Sequence, residues 1–122
     1  MSDENDDQLS QELEELILTK IDEFNEKIKT DEKLSKEFEG EYRRAQVIIT
    51  DGKTYSFELK DKQVQNFQEG EIENPDIVFT SDKATLLGIM KKEINPLKAV
   101  MITKKLKIKA SLEDMLRFRK FF

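Results

Sequence analysis

The chain of 122 residues contains no cysteine and no histidine. The first absence excludes disulfides, thiolate catalysis and cysteine-ligated metals. The second removes the commonest general base and the commonest transition-metal ligand. No apolar run approaches the ~18 residues that a membrane-spanning helix needs. Residues 1–7 are acidic and polar, unlike a signal peptide. The final Lys120-Phe121-Phe122 is not a peroxisomal address. A cytoplasmic protein is the expectation these features give.

Without His or Cys, an enzyme would need Ser or Thr paired with Lys, or two carboxylates working together. Ser56, Ser81 and Ser111 sit where a strand or a helix N-cap is expected, and no lysine stands at a diagnostic spacing from them. Asp3, Asp6 and Asp7 cluster, but lack the glycine and the terminal glutamate of a calcium loop. The expectation is therefore a protein that is not an enzyme and needs no cofactor or metal.

What the chain has in excess is charge: 39% of residues are charged and 37% hydrophobic, against roughly 25% and 45–50% in ordinary domains. The charge is unevenly spread. Residues 1–40 carry 14 acidic and 5 basic side chains, and residues 83–122 carry 3 and 11. Either the acidic amino-terminal helix neutralises the basic part, or the basic face makes transient contact with an anionic membrane surface. Nucleic acid is not an expected partner, because the pI is about 4.9 and no platform of aromatic and basic residues is present.

Residues 1–7 are expected to be a disordered acidic tail and residues 8–122 a single domain. From Gln8 onward, Leu9, Leu13, Leu16, Ile17, Ile21, Phe24 and Ile28 form one helical stripe. Thr30 is expected to cap a second short helix holding Leu34 and Phe38, which Gly40 stops. The period then changes to two. Ala45, Val47 and Ile49 define a strand, Asp51-Gly52 a hairpin, and Tyr55, Phe57 and Leu59 the return strand. Weaker strands follow at 64–68 and 76–80. Ser81 is expected to cap a helix reaching about Glu93, in which Gly88 costs about 1 kcal/mol against alanine and so implies close packing. Asn95-Pro96 caps a buried helical turn made by Leu97, Ala99, Val100, Met101 and Ile102. Lys105-Leu106-Lys107-Ile108-Lys109 then alternates as a half-buried strand. Ser111 and Asp114 form a capping box ahead of a final apolar-sided helix. The order is that of an α+β fold: a five-stranded, mainly antiparallel sheet with helices packed on one face. Its outer face, with Lys60, Lys105, Lys107 and Lys109, is expected to be wet.

Several of these segments carry a resemblance. The strand Asp76-Ile77-Val78-Phe79-Thr80, Ser81-Asp82, the turn Pro96-Leu97-Lys98-Ala99, the strand at 105–110 and the helix at 112–122 resemble the sterol carrier protein 2 family of lipid-binding domains. Thr54 to Lys60 stands in place of that family's second strand, and the likeness extends over roughly residues 10–122. The chain departs from the family at the helix-to-strand junction, where Thr103-Lys104 replaces a usual glycine and one residue is added. It departs again at Ala110, which replaces the glycine after the strand and is expected to keep φ below zero.

The resemblance implies an apolar tunnel between sheet and helices that takes fatty acyl, sterol or isoprenoid chains, for binding and transfer without enzymatic chemistry. Phe57, Phe79, Leu87, Met90, Met101, Ile108, Met115, Phe118 and Phe121 are the candidate lining; ordinary core packing would use the same residues. Lys91, Lys92, Lys104, Arg117 and Arg119 are candidates to meet a lipid head group. The alternative function is a protein-interaction or dimerisation module of the same fold with a closed core. The chain is expected to be a monomer or weak dimer.

Overall fold

The structure is a computed structural model; it describes residues 2–118, with side chains from 8 to 117. Met1, residues 119–122 and the side chain of Phe118 lie outside the described set.

Helix α1 runs Ser2–Thr30. It buries Leu13, Ile17, Phe24 and Ile28, as the spacing of the stripe requires. It begins at Ser2 rather than near Gln8, so the acidic lead expected to be disordered continues the helix; acidic residues suit the positive pole at that end. Helix α2, Glu32–Glu37, is capped not by Thr30 but by Asp31, whose carboxylate accepts the Leu34 N–H. The Thr30 hydroxyl instead donates back to the Lys27 carbonyl.

The same one-residue displacement occurs at α3, Lys83–Met90. Its cap is Asp82, which accepts from the Thr85 N–H and hydroxyl, while Ser81 is the last residue of a strand. At a helix N-terminus a carboxylate gains from the dipole in addition to the hydrogen bond. Helix α3 stops at Met90 because the chain turns at Lys92 (φ 64°) and the Gly88 carbonyl accepts the N–H groups of Glu93 and Ile94. Ile94 is thereby folded onto Gly88, where a Cβ would lie 2.4 Å from its Cδ1. The expected close packing at that glycine is present.

Strands β1 (Arg43–Ile49), β2 (Thr54–Lys60), β3 (Gln63–Glu69), β4 (Ile77–Ser81) and β5 (Leu106–Lys109) form one sheet in the order β3-β2-β1-β4-β5. Every neighbouring pair is antiparallel except β1–β4. The loop at 70–75 carries the chain back across the sheet to the start of β1, so β4 must run parallel to it. There Asp76 fixes the crossing: its N–H donates to the Arg44 carbonyl and its carboxylate accepts the Arg44 N–H.

The tight two-residue turn is at Asp61-Lys62, with φ of 54° and 60°. At Asp51-Gly52 the connection is longer, and the glycine is needed for proximity: a Cβ there would lie 2.8 Å from Lys83 Cε.

The register puts Ala45, Val47, Ile49, Tyr55, Phe57, Leu59, Ile77 and Phe79 on the face that the helices cover. Tyr55 donates to Glu14 of α1 at 2.9 Å, and Asn25 of α1 pairs with both the N–H and the carbonyl of Val64. On the opposite face Lys60, Lys107 and Lys109 are exposed as expected, and so is Lys105 just ahead of β5. That face is not uniformly wet, because Gln46 and Ser56 are buried there and the Gln46 side chain accepts the Ile72 N–H from the overlying loop.

Helix α4 is Pro96–Met101, and the Asn95 side chain accepts the N–H groups of Leu97 and Lys98 as expected. Its apolar residues are not a buried turn. Ala99 alone is fully buried, while Leu97, Met101 and Ile102 face outward. The junction to β5 keeps a glycine-like geometry, because Lys104 adopts φ 58°. Ala110 is absent from the residues with positive φ, as expected. Helix α5, Leu112–Phe118, starts at the Ser111 cap, whose hydroxyl accepts the Asp114 N–H at 3.1 Å.

Candidate functional site

Two rows of side chains cross the covered face of the sheet. One row runs Tyr55, Val47, Phe79, Ile108; the next runs Phe57, Ala45, Ile77. Leu87 of α3 is buried above this surface, and Met90 packs at its margin. The structure therefore brings Phe57, Phe79, Leu87, Met90 and Ile108 into one apolar cluster.

The remaining lining candidates fall elsewhere. Met101 is 65% exposed on the outer side of α4. It projects nearly opposite the buried Ala99, as two positions at ~100° per residue must. Met115 is 36% exposed on α5 and is not among the residues packed against that cluster. The Phe118 side chain and Phe121 lie outside the described residues.

The head-group candidates also divide. Arg117 is committed within the protein: it donates to Glu41, Glu113 and Asp114 at 3.2, 2.6 and 3.1 Å. Three of its five N–H donors are thus held by carboxylates of the protein. Lys91 pairs with Glu12 of α1, and that hydrogen bond strengthens its hold on its proton. Lys92 and Lys104 are exposed and form no ion pair among the described residues. Arg119 lies outside the described residues.

Sequence reasoning missed the anchor of α5. Asp114 is only 4% exposed. Its Oδ2 accepts from Arg43 Nε at 2.9 Å and its Oδ1 from Arg117 Nη1. Arg43 also pairs with Glu41 at 2.9 Å. The Asp114 carboxylate raises the already high proton affinity of the Arg43 guanidinium, against the opposing effect of burial. This network fastens the start of α5 to the start of β1. The one signal in the sequence was the capping box, which fixed Asp114 on α5 but said nothing of its partners.

A cleft of about 460 Å³ between α2 and α5 is walled by charged groups, among them Lys36, Glu37, Glu39 and Glu41. Such walls do not suit an apolar chain. Tyr55 is held protonated far into the alkaline range by burial and by its bond to Glu14. Among the described residues no group of three or more His, Cys, Asp or Glu could hold a metal ion, and no helix is long and apolar enough to cross a membrane. The arrangement offers an apolar interior.

Among solved structures, sterol carrier protein 2 like 2 from Aedes aegypti aligns at 13% identity over 89% of this chain and 98% of that one, with a TM-score of 0.55. A crystal structure of sterol carrier protein 2 aligns at 16% identity over 84% and 90%, with a TM-score of 0.58. The sec-alkylsulfatase Pisa1 from Pseudomonas sp. aligns at 13% identity and a TM-score of 0.56, over 71% of this chain, which spans only 13% of the sulfatase. At these identities the likeness establishes the fold. The sulfatase shows that the fold also occurs as part of a larger enzyme. No curated protein sequence matches the chain. The profile of the SCP-2 sterol transfer family matches residues 18–122, from within α1 through α5 and the chain end, and this protein belongs to that family.

Proposed function

We propose that the protein binds a lipid chain, of fatty acyl, sterol or isoprenoid type, in an apolar tunnel between sheet and helices, and transfers it without enzymatic chemistry. One observation carries this: Phe57, Phe79, Leu87, Met90 and Ile108 are gathered into one apolar cluster between the sheet and the helices. Met90, only partly buried against that cluster, is a side chain that adapts to apolar partners of different shape.

The energetics allow it. A sixteen-carbon chain releases roughly 13 kcal/mol on burial at ~0.8 kcal/mol per methylene, and association costs roughly 4–15 kcal/mol. Shape and rim polarity then decide which chain is held.

The test is native mass spectrometry of protein purified from cells, followed by delipidation and titration with a fluorescent fatty acid. Co-purified lipid and saturable binding are expected. Their joint absence removes the carrier reading. Phe79→Trp is expected to lower acyl binding with the fold intact, whereas Met101→Trp, on the outer side of α4, leaves it unchanged. Unfolding of Phe79→Trp by several kcal/mol would mark the site as packed core.

A further inference from the structure

Helix α4 carries its apolar residues on the wrong side for a globular fold. Leu97, Met101 and Ile102 are 66%, 65% and 70% exposed, while the inward position is taken by Ala99. At ~100° per residue, Leu97 and Met101 stand on one side of the helix with Lys98 beside them, and Ile102 follows as the C-cap. Scattered apolar residues on a surface need no explanation, but three large ones exposed on one short stretch do.

Along this segment the charge has one sign, although Asp82 at the start of α3 lies within electrostatic reach of Lys105. From Pro96 to Leu112 the sequence has five lysines, Lys98, Lys104, Lys105, Lys107 and Lys109, and no acidic residue. All five are exposed, and none forms an ion pair among the described residues. Lys104 stands at φ 58°, where glycine is the less strained choice, so its charge is kept at a conformational cost. The acid-rich α1 pairs with Lys91 through Glu12, but with none of these five among the described residues.

We infer that the outer side of α4 and the turn into β5 form a docking surface for anionic membranes. Leu97, Met101 and Ile102 enter the interface between head groups and acyl chains, and Lys98, Lys104 and Lys105 meet the negative head groups around them. An apolar sector framed by lysines is the pattern that binds such interfaces. Each lysine near an anionic leaflet contributes about fivefold in partitioning. The surface would bring the protein to its source of lipid, and in that sense it extends the carrier reading; its test, however, needs no acyl ligand.

The experiment is co-flotation of the full chain with vesicles of phosphatidylcholine, with and without phosphatidylserine, at low and high salt. Binding is expected only with phosphatidylserine, weakening as salt rises. The combined variant Leu97→Ser, Met101→Ser, Ile102→Ser and the combined variant Lys98→Gln, Lys104→Gln, Lys105→Gln are each expected to lose about tenfold or more in vesicle binding. The changed side chains are exposed, so far-ultraviolet circular dichroism should match the parent. As the sequence contains no tryptophan, Met101→Trp supplies a single reporter whose emission shifts to the blue on phosphatidylserine vesicles.

Equal binding to both vesicle types, unchanged binding by either combined variant, or no shift of the reporter overturns the inference. So does conversion of a dimeric parent to a monomer by the serine variant in sedimentation, since a second copy would then be what covers the sector. Vesicle binding by a chain that takes no fluorescent fatty acid would remove the carrier reading and leave this one standing.

Discussion

Replacing Asp114 by asparagine should loosen α5 from the sheet. The aspartate is 4% exposed and divides its oxygens between two cations, Arg43 at 2.9 Å and Arg117 at 3.1 Å. Asparagine keeps the shape but removes the charge, and turns an NH2 group toward one of two guanidinium donors. Removing one partner of a buried pair costs about 3–5 kcal/mol. The two arginine side chains keep 25% and 15% exposure and both retain Glu41. Solvent and Glu41 therefore offset part of the loss, and about 2–3 kcal/mol is expected. For a domain of this length that lowers Tm by roughly 8–12 °C. Thermal and urea unfolding followed by far-ultraviolet circular dichroism would measure it. Glu113→Gln is the control: its side chain is 72% exposed, and losing such a surface pair costs under about 0.5 kcal/mol. A loss below about 1 kcal/mol, or one no larger than that of Glu113→Gln, would refute the anchoring role.

Three further outcomes are expected. Lys104→Gly relieves a left-handed backbone (φ 58°) and should raise stability in urea by roughly 0.5–1 kcal/mol while weakening vesicle binding; a loss of stability would contradict the strain argument. Gly88→Ala gains about 1 kcal/mol of helix propensity but drives a Cβ to within 2.4 Å of Ile94, so a net loss of about 1 kcal/mol is expected. Adding Ile94→Val should recover part of it, and a stabilised single variant would disprove the packing. Burial alone would raise the Asp82 pKa, but donors from Thr85 outweigh it and hold the carboxyl below its ordinary value. A group depressed in the folded state contributes stability that is complete above about pH 4 and is lost as pH falls through the folded value. A carboxyl titration by NMR with a midpoint above the ordinary aspartate value would reverse that sign.

Much of the fold was legible because its signals are local. The stripe from Leu13 to Ile28, the alternation at 45–49, 55–59 and 105–109, the Asn95-Pro96 start and the Ser111 capping box each follow from the period or the cap chemistry of a few adjacent residues. Where two capping residues stood side by side, at Thr30-Asp31 and Ser81-Asp82, the sequence offered both and the carboxylate took the position. The apolar cluster was half legible. Phe57, Phe79 and Ile108 follow from strand parity, and Leu87 and Met90 from the helix. Met101 did not, because an apolar residue on a short helix is assigned inward unless the surroundings of that helix are known.

By itself the sequence determined the element types, the inward faces of β1, β2, β4 and β5, the close packing at Gly88 and the absence of histidine and thiol chemistry, all set by side-chain identity and spacing along a few turns. The tertiary structure alone decided that β4 runs parallel to β1, that Arg117 is held by Glu41, Glu113 and Asp114, and that Leu97, Met101 and Ile102 face solvent beside lysines that form no ion pair among the described residues. Those three depend on which segments of a 122-residue chain meet, and contacts between residues far apart in sequence leave no period to read.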